Sequence, residues 1–225
     1  MKQTSERLMP AFFILGLLVL WEGAVRIFGI PLYVLPSPVQ VAETLVQELP
    51  VLALHARVTV AEALAGVAIS LVLALALGIL MDCFPMIRQG LYPVLVVTQT
   101  VPMIVLAPIF IIYMGFGAAP KILTVVLMCF FPVAVSFSDG LSQVDAEYVH
   151  LVRSYGAGQW KTYCLVKIPA AVPTLLSGLK VAATYSISGA VVGEWIGSQE
   201  GLGYYLLRVK NGYMLDKVFA PALIH

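Results

Sequence analysis

Residues Ser154 to Thr162 read SYGAGQWKT, and the meaning of this stretch decides whether the chain is a motor or a part driven by one. Two glycines followed by a lysine and a threonine approximate the loop that wraps nucleotide phosphates, which would let the chain bind and hydrolyse ATP itself. The spacing excludes it. A phosphate loop is G-x-x-x-x-G-K-[ST], with glycine directly before the lysine so that backbone amides can curl around the phosphates. Here Trp160 precedes Lys161, and Gly156 and Gly158 stand too close together. No strand pattern leads in, and no acidic residue closing an apolar strand follows to hold magnesium. The alternative is an exposed helix–glycine–helix turn, whose role the rest of the chain must supply.

The surrounding chain is overwhelmingly apolar. Of its 225 residues 60% are hydrophobic and 11% charged, with a mean hydropathy of +0.96. Soluble domains carry about 25% charged residues, so this is the composition of a membrane protein. A formal net charge of +1 gives no reason to invoke nucleic acid. Cys83, Cys129 and Cys164 lack paired or metal-like spacing, and their odd number argues against a disulfide framework. Each is expected to pack as a small apolar residue. His55, His150 and His225 are scattered, and no Ser/His/Asp, His-rich or paired-acid constellation appears. No catalytic residue, cofactor site or metal site is expected.

Crossing the hydrocarbon core as a helix takes about 20 largely apolar residues. Five stretches qualify, at 10–29, 58–81, 90–113, 121–138 and 171–193. The first follows Lys2 and Arg7 as a secretory signal would, but no small-x-small cleavage site follows, so a retained span is expected. The closing LDKVFAPALIH looks like the opening of a sixth helix: either the chain is cut short there or that segment never crosses. The expected architecture is all-α: a single polytopic bundle over 1–225. Basic residues set the orientation by only seven (Lys2, Arg7, Arg88, Arg153, Lys161, Lys167, Lys180) against six (Arg26, Arg57, Lys121, Arg208, Lys210, Lys217). A cytoplasmic N-terminus is favoured because the 139–170 loop then faces the cytoplasm.

Between the first two spans, Ser37, Pro38 and Gln40 read as a helix start: a capping hydroxyl, proline at the first position and a glutamine able to reach back. Val41, Leu45 and Leu49 make that helix, 38–49, amphipathic and expected to lie along the membrane surface. The third span carries Pro93, Pro102 and Pro108, with Gln99 and Thr100 just ahead of Pro102. Two readings stay open: an ordinary kinked helix held by its neighbours, or a span lining a solute path. In the fifth span, Gly178 and Ala182, Ser186 and Ala190, and Gly189 and Gly193 form small-xxx-small pairs suited to close helix contact. Tyr185, Ser186 and Ser188 add hydroxyls that a path could use. Glu22 can pair with Arg26, and Glu62, near Arg57, reads as an anchor at a span end.

The 139–170 loop, DGLSQVDAEYVHLVRSYGAGQWKTYCLVKIPA, reads as a helix over 144–155, a break at Gly156 to Gly158, a second helix over 159–166, and a stop at Ile168-Pro169. Here the chain resembles the permease subunit of binding-protein-dependent ABC importers. Their cytoplasmic motif runs acidic-Ala-Ala, three residues, Gly, nine residues, an aliphatic, one residue, Leu-Pro. Gly156, Val166 and Ile168-Pro169 match its second half. The first half departs, with His150, Leu151 and Val152 at the acidic-Ala-Ala positions and Glu147 the nearest acid. The segments LPSP at 35–38, QTVPMIVLAPIFIIYMGFG at 99–117 and GEWIGSQEGLGYYL at 193–206 are similar to the sulfonate, nitrate and taurine branch. The last also resembles permeases for thiamine pyrimidine precursors.

The resemblance implies an inner-membrane subunit without a nucleotide site of its own. Its loop would dock on a separate ATPase through Glu147, His150, Arg153, Gly156, Gly158 and Trp160. Implied partners are two ATP-binding subunits, an external substrate-binding protein, a second permease copy and membrane lipid. The implied cargo is a small anionic or heterocyclic solute. A membrane-interior enzyme and a passive channel or membrane anchor without ATPase coupling are the competing readings.

Overall fold

The computed structural model describes residues 2–222, with side chains from Met9 to Pro221 except Ala11. The expectations for the side chains of Lys2 and Arg7, for His225 and for the final 223–225 lie outside the described residues. In chain order the helices are α1 (Lys2–Ile27), α2 (Pro38–Cys83), α3 (Pro85–Thr98), α4 (Met103–Met114), α5 (Ala118–Ser142), α6 (Ala146–Ser154) and α7 (Gln159–Thr162). A π-helical turn (Tyr163–Lys167) then leads into α8 (Ile168–Glu194), α9 (Leu202–Asn211) and α10 (Leu215–Ala222). No strand occurs among the described residues. Three helical stretches there are long and apolar enough to cross a membrane: α2, α5, and Gln159–Glu194 running through the π turn. They become four if the bent pair α3 and α4 is one span.

The start of α2 follows its local chemistry. The Ser37 N–H donates to Gln40 Oε1 at 2.9 Å, and the Gln40 N–H donates to Ser37 Oγ at 3.4 Å. This is the reciprocal capping box, with Pro38 at the first helical position. The separate surface helix expected over 38–49 does not occur. The helix continues through Pro50 to Cys83, 46 residues in all, about 69 Å at 1.5 Å per residue. A proline removes one intrahelical bond, and no glycine or loop-forming residue beside Pro50 supplies an alternative path.

The described residues form two compact units. The first comprises 1–57 and 200–225. Within it Glu22 accepts from Arg26 Nε at 2.5 Å and from the Val39 N–H at 3.2 Å. Glu48 accepts from Lys217 Nζ at 2.6 Å and from the Tyr205 hydroxyl at 3.2 Å, and Thr44 donates to Asp216 at 3.0 Å. Burial, and then the Glu48 carboxylate, raise the Tyr205 phenol well above its usual range, so it remains a donor.

The second unit, 58–199, packs the rest of α2 with α5 and α8. Val125, Cys129, Val133 and Ala134 of α5 meet Ala182 and Ala190 of α8 and Ala63, Ala74 and Met81 of α2 in one buried core. Glycines set the spacing. A Cβ on Gly178 would lie 2.6 Å from Ser136 Cβ and 2.8 Å from the Pro132 carbonyl oxygen, so α5 and α8 approach backbone to backbone there. On Gly189 it would lie 3.0 Å from Met128 Sδ, and on Gly193 3.0 Å from Lys121 Cα. Gly78 of α2 makes room for the Phe137 ring in the same way, at 2.5 Å.

Glu62 is not a snorkelling anchor. It is 6% exposed and ion-paired with Lys121, which also donates to Ser198 Oγ at 3.3 Å. Beside them Thr59 donates to the fully buried Glu194 at 2.7 Å. Three helices contribute to this polar knot, so a one-helix reading could not find it. Of the cysteines, Cys129 is buried and Cys83 half-buried, whereas Cys164 is exposed and does not pack as expected.

Candidate functional site

Two places in the second unit gather the residues of interest: a cavity beside the α3–α4 break, and the turn between α5 and α8. At the break, α3 and α4 meet at 102°. Pro102 has no N–H to offer the Thr98 carbonyl, which accepts from Val101 at 3.2 Å instead. Val101, β-branched and directly before proline, is disfavoured in helical geometry. Thr98 donates to the Val94 and Leu95 carbonyls at 2.8 and 2.9 Å, and Thr100 to Val97 at 2.7 Å. Hydroxyls thus add bonds to, and compete for, the carbonyls of the last turn before the break. The single span expected over 90–113 is therefore two helices. Pro93 and Pro108 stay inside unbroken ones.

A cavity of about 330 Å³ opens beside this break. Gln99, Val101 and Met103 line it from the break, Met128, Phe131 and Pro132 from α5, and Val181 and Tyr185 from α8. No charged residue is among its lining residues. Of the residues expected on a path, Gln99 and Tyr185 face this cavity. Thr100 is exposed and bonded to its own chain, and Pro102 stands between two lining residues as the N-cap of α4. Ser186 is buried, donating to the Ala183 carbonyl at 2.8 Å, and Ser188 is half-buried; neither lines the cavity. Sequence reasoning missed the methionines, because Met103 and Met128 meet only when α4 and α5 are placed together.

The turn between α5 and α8 is built by local signals. Asp145 caps α6, accepting the Glu147 N–H at 3.0 Å. At its end the Gly156 N–H reaches the Arg153 carbonyl at 2.9 Å and the Ala157 N–H reaches Val152 at 3.2 Å. With Gly156 at φ +84°, this is the left-handed glycine closure of a helix. Gly158 is extended, at φ −68° and ψ 172°, and leads into α7. Glu147, His150, Arg153, Gly156, Gly158 and Trp160 are all exposed, as are Tyr148, Leu151 and Tyr155. No residue of α6 is buried.

Pro169 does not stop the second helix. Its ring would collide with the Leu165 carbonyl in α-helical register. The chain widens to a π turn over Tyr163–Lys167, in which the Ile168 N–H bonds Tyr163, and the helix then continues to Glu194. Tyr163 is 6% exposed and packs with Phe137, Leu141 and Ala171, tying the turn to the helices above it.

Comparison with known proteins places these features. The family described as binding-protein-dependent transport system inner membrane component matches residues 66–225. The formylaminopyrimidine transport permease of Halalkalibacterium halodurans is 37% identical over all of this chain and 90% of its own length. The riboflavin transport system permease of Chloroflexus aurantiacus is 33% identical over 87% of this chain and 74% of its own. A putative aliphatic sulfonates transport permease of Bacillus subtilis is 30% identical over 96% of this chain and 78% of its own.

Proposed function

This chain belongs to the inner-membrane components of binding-protein-dependent transport systems, the permease subunits of ABC importers, and from that premise we propose how its parts serve import. As a permease it has an ATP-binding subunit and a substrate-binding protein as partners, and ATP is hydrolysed by the former. The α6–α7 turn, with exposed Glu147, His150, Arg153 and Trp160, is the surface on which the ATPase subunit docks. Exposed Tyr148, Leu151 and Tyr155 supply apolar anchors there, the residue types that dominate protein interfaces. Gly156 and Gly158 shape the bend. The permease works as a homodimer with two ATPase subunits. Its five spans sit in lipid with the N-terminus and the turn in the cytoplasm.

The cavity beside the α3–α4 break is a stretch of the translocation path. What supports a solute class is its lining: the Gln99 amide and Tyr185 hydroxyl among Met103, Met128 and Phe131, with no charge. Methionine sulfur and aromatic faces suit a flat ring, and an amide and a hydroxyl can match ring nitrogens and exocyclic groups. A sulfonate would meet no cation to replace its water. The solute is an uncharged heterocycle, of the kind the formylaminopyrimidine permease is named for.

The test is ATP hydrolysis by the assembled importer in vesicles, with its cognate binding protein carrying either a formylaminopyrimidine or an alkanesulfonate. Acceleration by the pyrimidine alone is expected. Acceleration by the sulfonate instead overturns the solute class. A permease that neither copurifies with an ATPase nor changes its turnover overturns docking and leaves the passive-channel reading.

A further inference from the structure

We propose that Asp82 is the residue through which displacement of the α6–α7 turn reaches α2, an inference that rests on the docking reading above. Asp82 lies in the last turn of α2, one residue before its end. A carboxylate there faces the negative end of the helix dipole and gains nothing from its own helix. Its partners are across the unit. Asp82 Oδ2 accepts from the Tyr163 hydroxyl and from Lys167 Nζ, the latter at 2.6 Å. These donors are the first and last residues of the π turn. The Lys167 ammonium also lies 5.2 Å from the Tyr163 ring centroid. The same tyrosine hydroxyl is 3.2 Å from Cys83 Sγ, so two successive residues at the end of α2 hold it.

The clamp sits where a push from the turn must pass. With no buried residue, α6 has no grip of its own on the helices. The attachment begins at Thr162, 1% exposed, and Tyr163, 6% exposed, immediately before α8. The Asp82 side chain is 9% exposed and that of Lys167 21%. Charge-assisted hydrogen bonds in so little water are short and stiff. Any movement of α7 carries Tyr163 and Lys167 with it, and Asp82 draws the end of α2 along. Two spans then respond to one turn: α8 through the chain and α2 through this carboxylate. A π register is rare and concentrates at functional positions, and here it presents both donors to one oxygen.

The experiment uses the full importer in vesicles, with ATPase and binding protein. Its readout is the ratio of ATP hydrolysis with loaded binding protein to hydrolysis without it, beside ATPase copurification and the melting temperature of the complex. Asp82→Asn is expected to lower that ratio roughly tenfold, within the usual range of coupling between sites, with copurification unchanged and melting lowered only modestly, because the Asn amide oxygen still accepts and the Lys167 side chain is 21% exposed. Tyr163→Phe is expected to lower it less, because Lys167 remains. Exchanging the pair, Asp82→Lys with Lys167→Asp, is expected to recover much of the ratio lost in Asp82→Asn. A wild-type ratio in Asp82→Asn overturns the inference and leaves docking intact. So does a ratio that falls only in step with melting temperature, which marks a structural brace. Should Asp82→Asn yield no complex, an unchanged ratio in Tyr163→Phe overturns it equally. Failure of the unaltered permease to bind its ATPase overturns docking first and this inference with it.

Discussion

Two prolines, Pro132 lining the cavity and Pro102 between two residues that line it, have opposite fates. Pro132 lies inside α5, which runs unbroken from Ala118 to Ser142. Pro102 stands at a 102° break between α3 and α4. The missing N–H is the same in both, so proline chemistry alone does not decide the outcome. Pro132 is half-buried, its carbonyl facing Gly178 of α8, with Val133 and Ala134 buried beside it. Residues 99–102 are all exposed, and Thr98 and Thr100 turn their hydroxyls onto nearby backbone carbonyls. A helix that leans on a neighbour along its length keeps its axis despite one lost bond. A segment with no such neighbour, with β-branched residues before the proline and hydroxyls competing for its carbonyls, bends.

The comparison can be broken most severely at the packed end. Lys121→Met leaves the Glu62 carboxylate buried without its cation, and removing one partner of a buried pair costs about 3–5 kcal/mol. The expected result is a complex that dissociates or melts far earlier in detergent; an unshifted melting curve would show that the knot does not hold the helices. Gly178→Val drives side-chain atoms into Ser136 and the Pro132 carbonyl, with an expected loss of about 1–3 kcal/mol. Partial recovery on adding Ser136→Gly, which leaves the Pro132 carbonyl in place, would sharpen the assignment to that contact.

At the loose end, the same kind of change should act on transport rather than on folding. Pro102→Ala, exposed at the break, is expected to move stability by no more than about 0.5 kcal/mol while slowing solute uptake. A large melting shift would mean that the break is as firmly held as the α5–α8 seam. On uptake the smaller effect is expected from Tyr185→Phe, which keeps the ring and loses one hydrogen bond to the solute, about 1 kcal/mol. That corresponds to a several-fold rise in the solute concentration for half-maximal uptake. No change would remove Tyr185 from the path.

Much of the fold is legible because its signals are local. The Ser37–Gln40 box, the Asp145 cap and the Gly156 closure each involve atoms within five residues of one another. The Glu22–Arg26 pair, one helical turn apart, belongs with them. The stretches called spans at 58–81, 121–138 and 171–193 all lie within longer apolar helices. What escaped was long-range. Glu62 looked like an anchor because its partner Lys121 is far along the chain. Asp82 drew no attention because its donors arrive from beyond α6. Gly66 and Gly78 went unnoticed because only the approach of α5, through Val125 and Phe137, gives them meaning.

By itself the sequence determined that this chain is helical and lipid-embedded, that a helix starts at Pro38 and another closes at Gly156, and that the glycine turn binds no nucleotide. Hydrophobic length and backbone capping are properties of neighbouring residues, so they need no knowledge of the fold. Only the tertiary structure decided which proline breaks a span, which buried acid meets a cation, and which carboxylate holds the π turn. Those outcomes depend on whether a partner stands within a few ångströms, and that partner comes from a distant part of the chain.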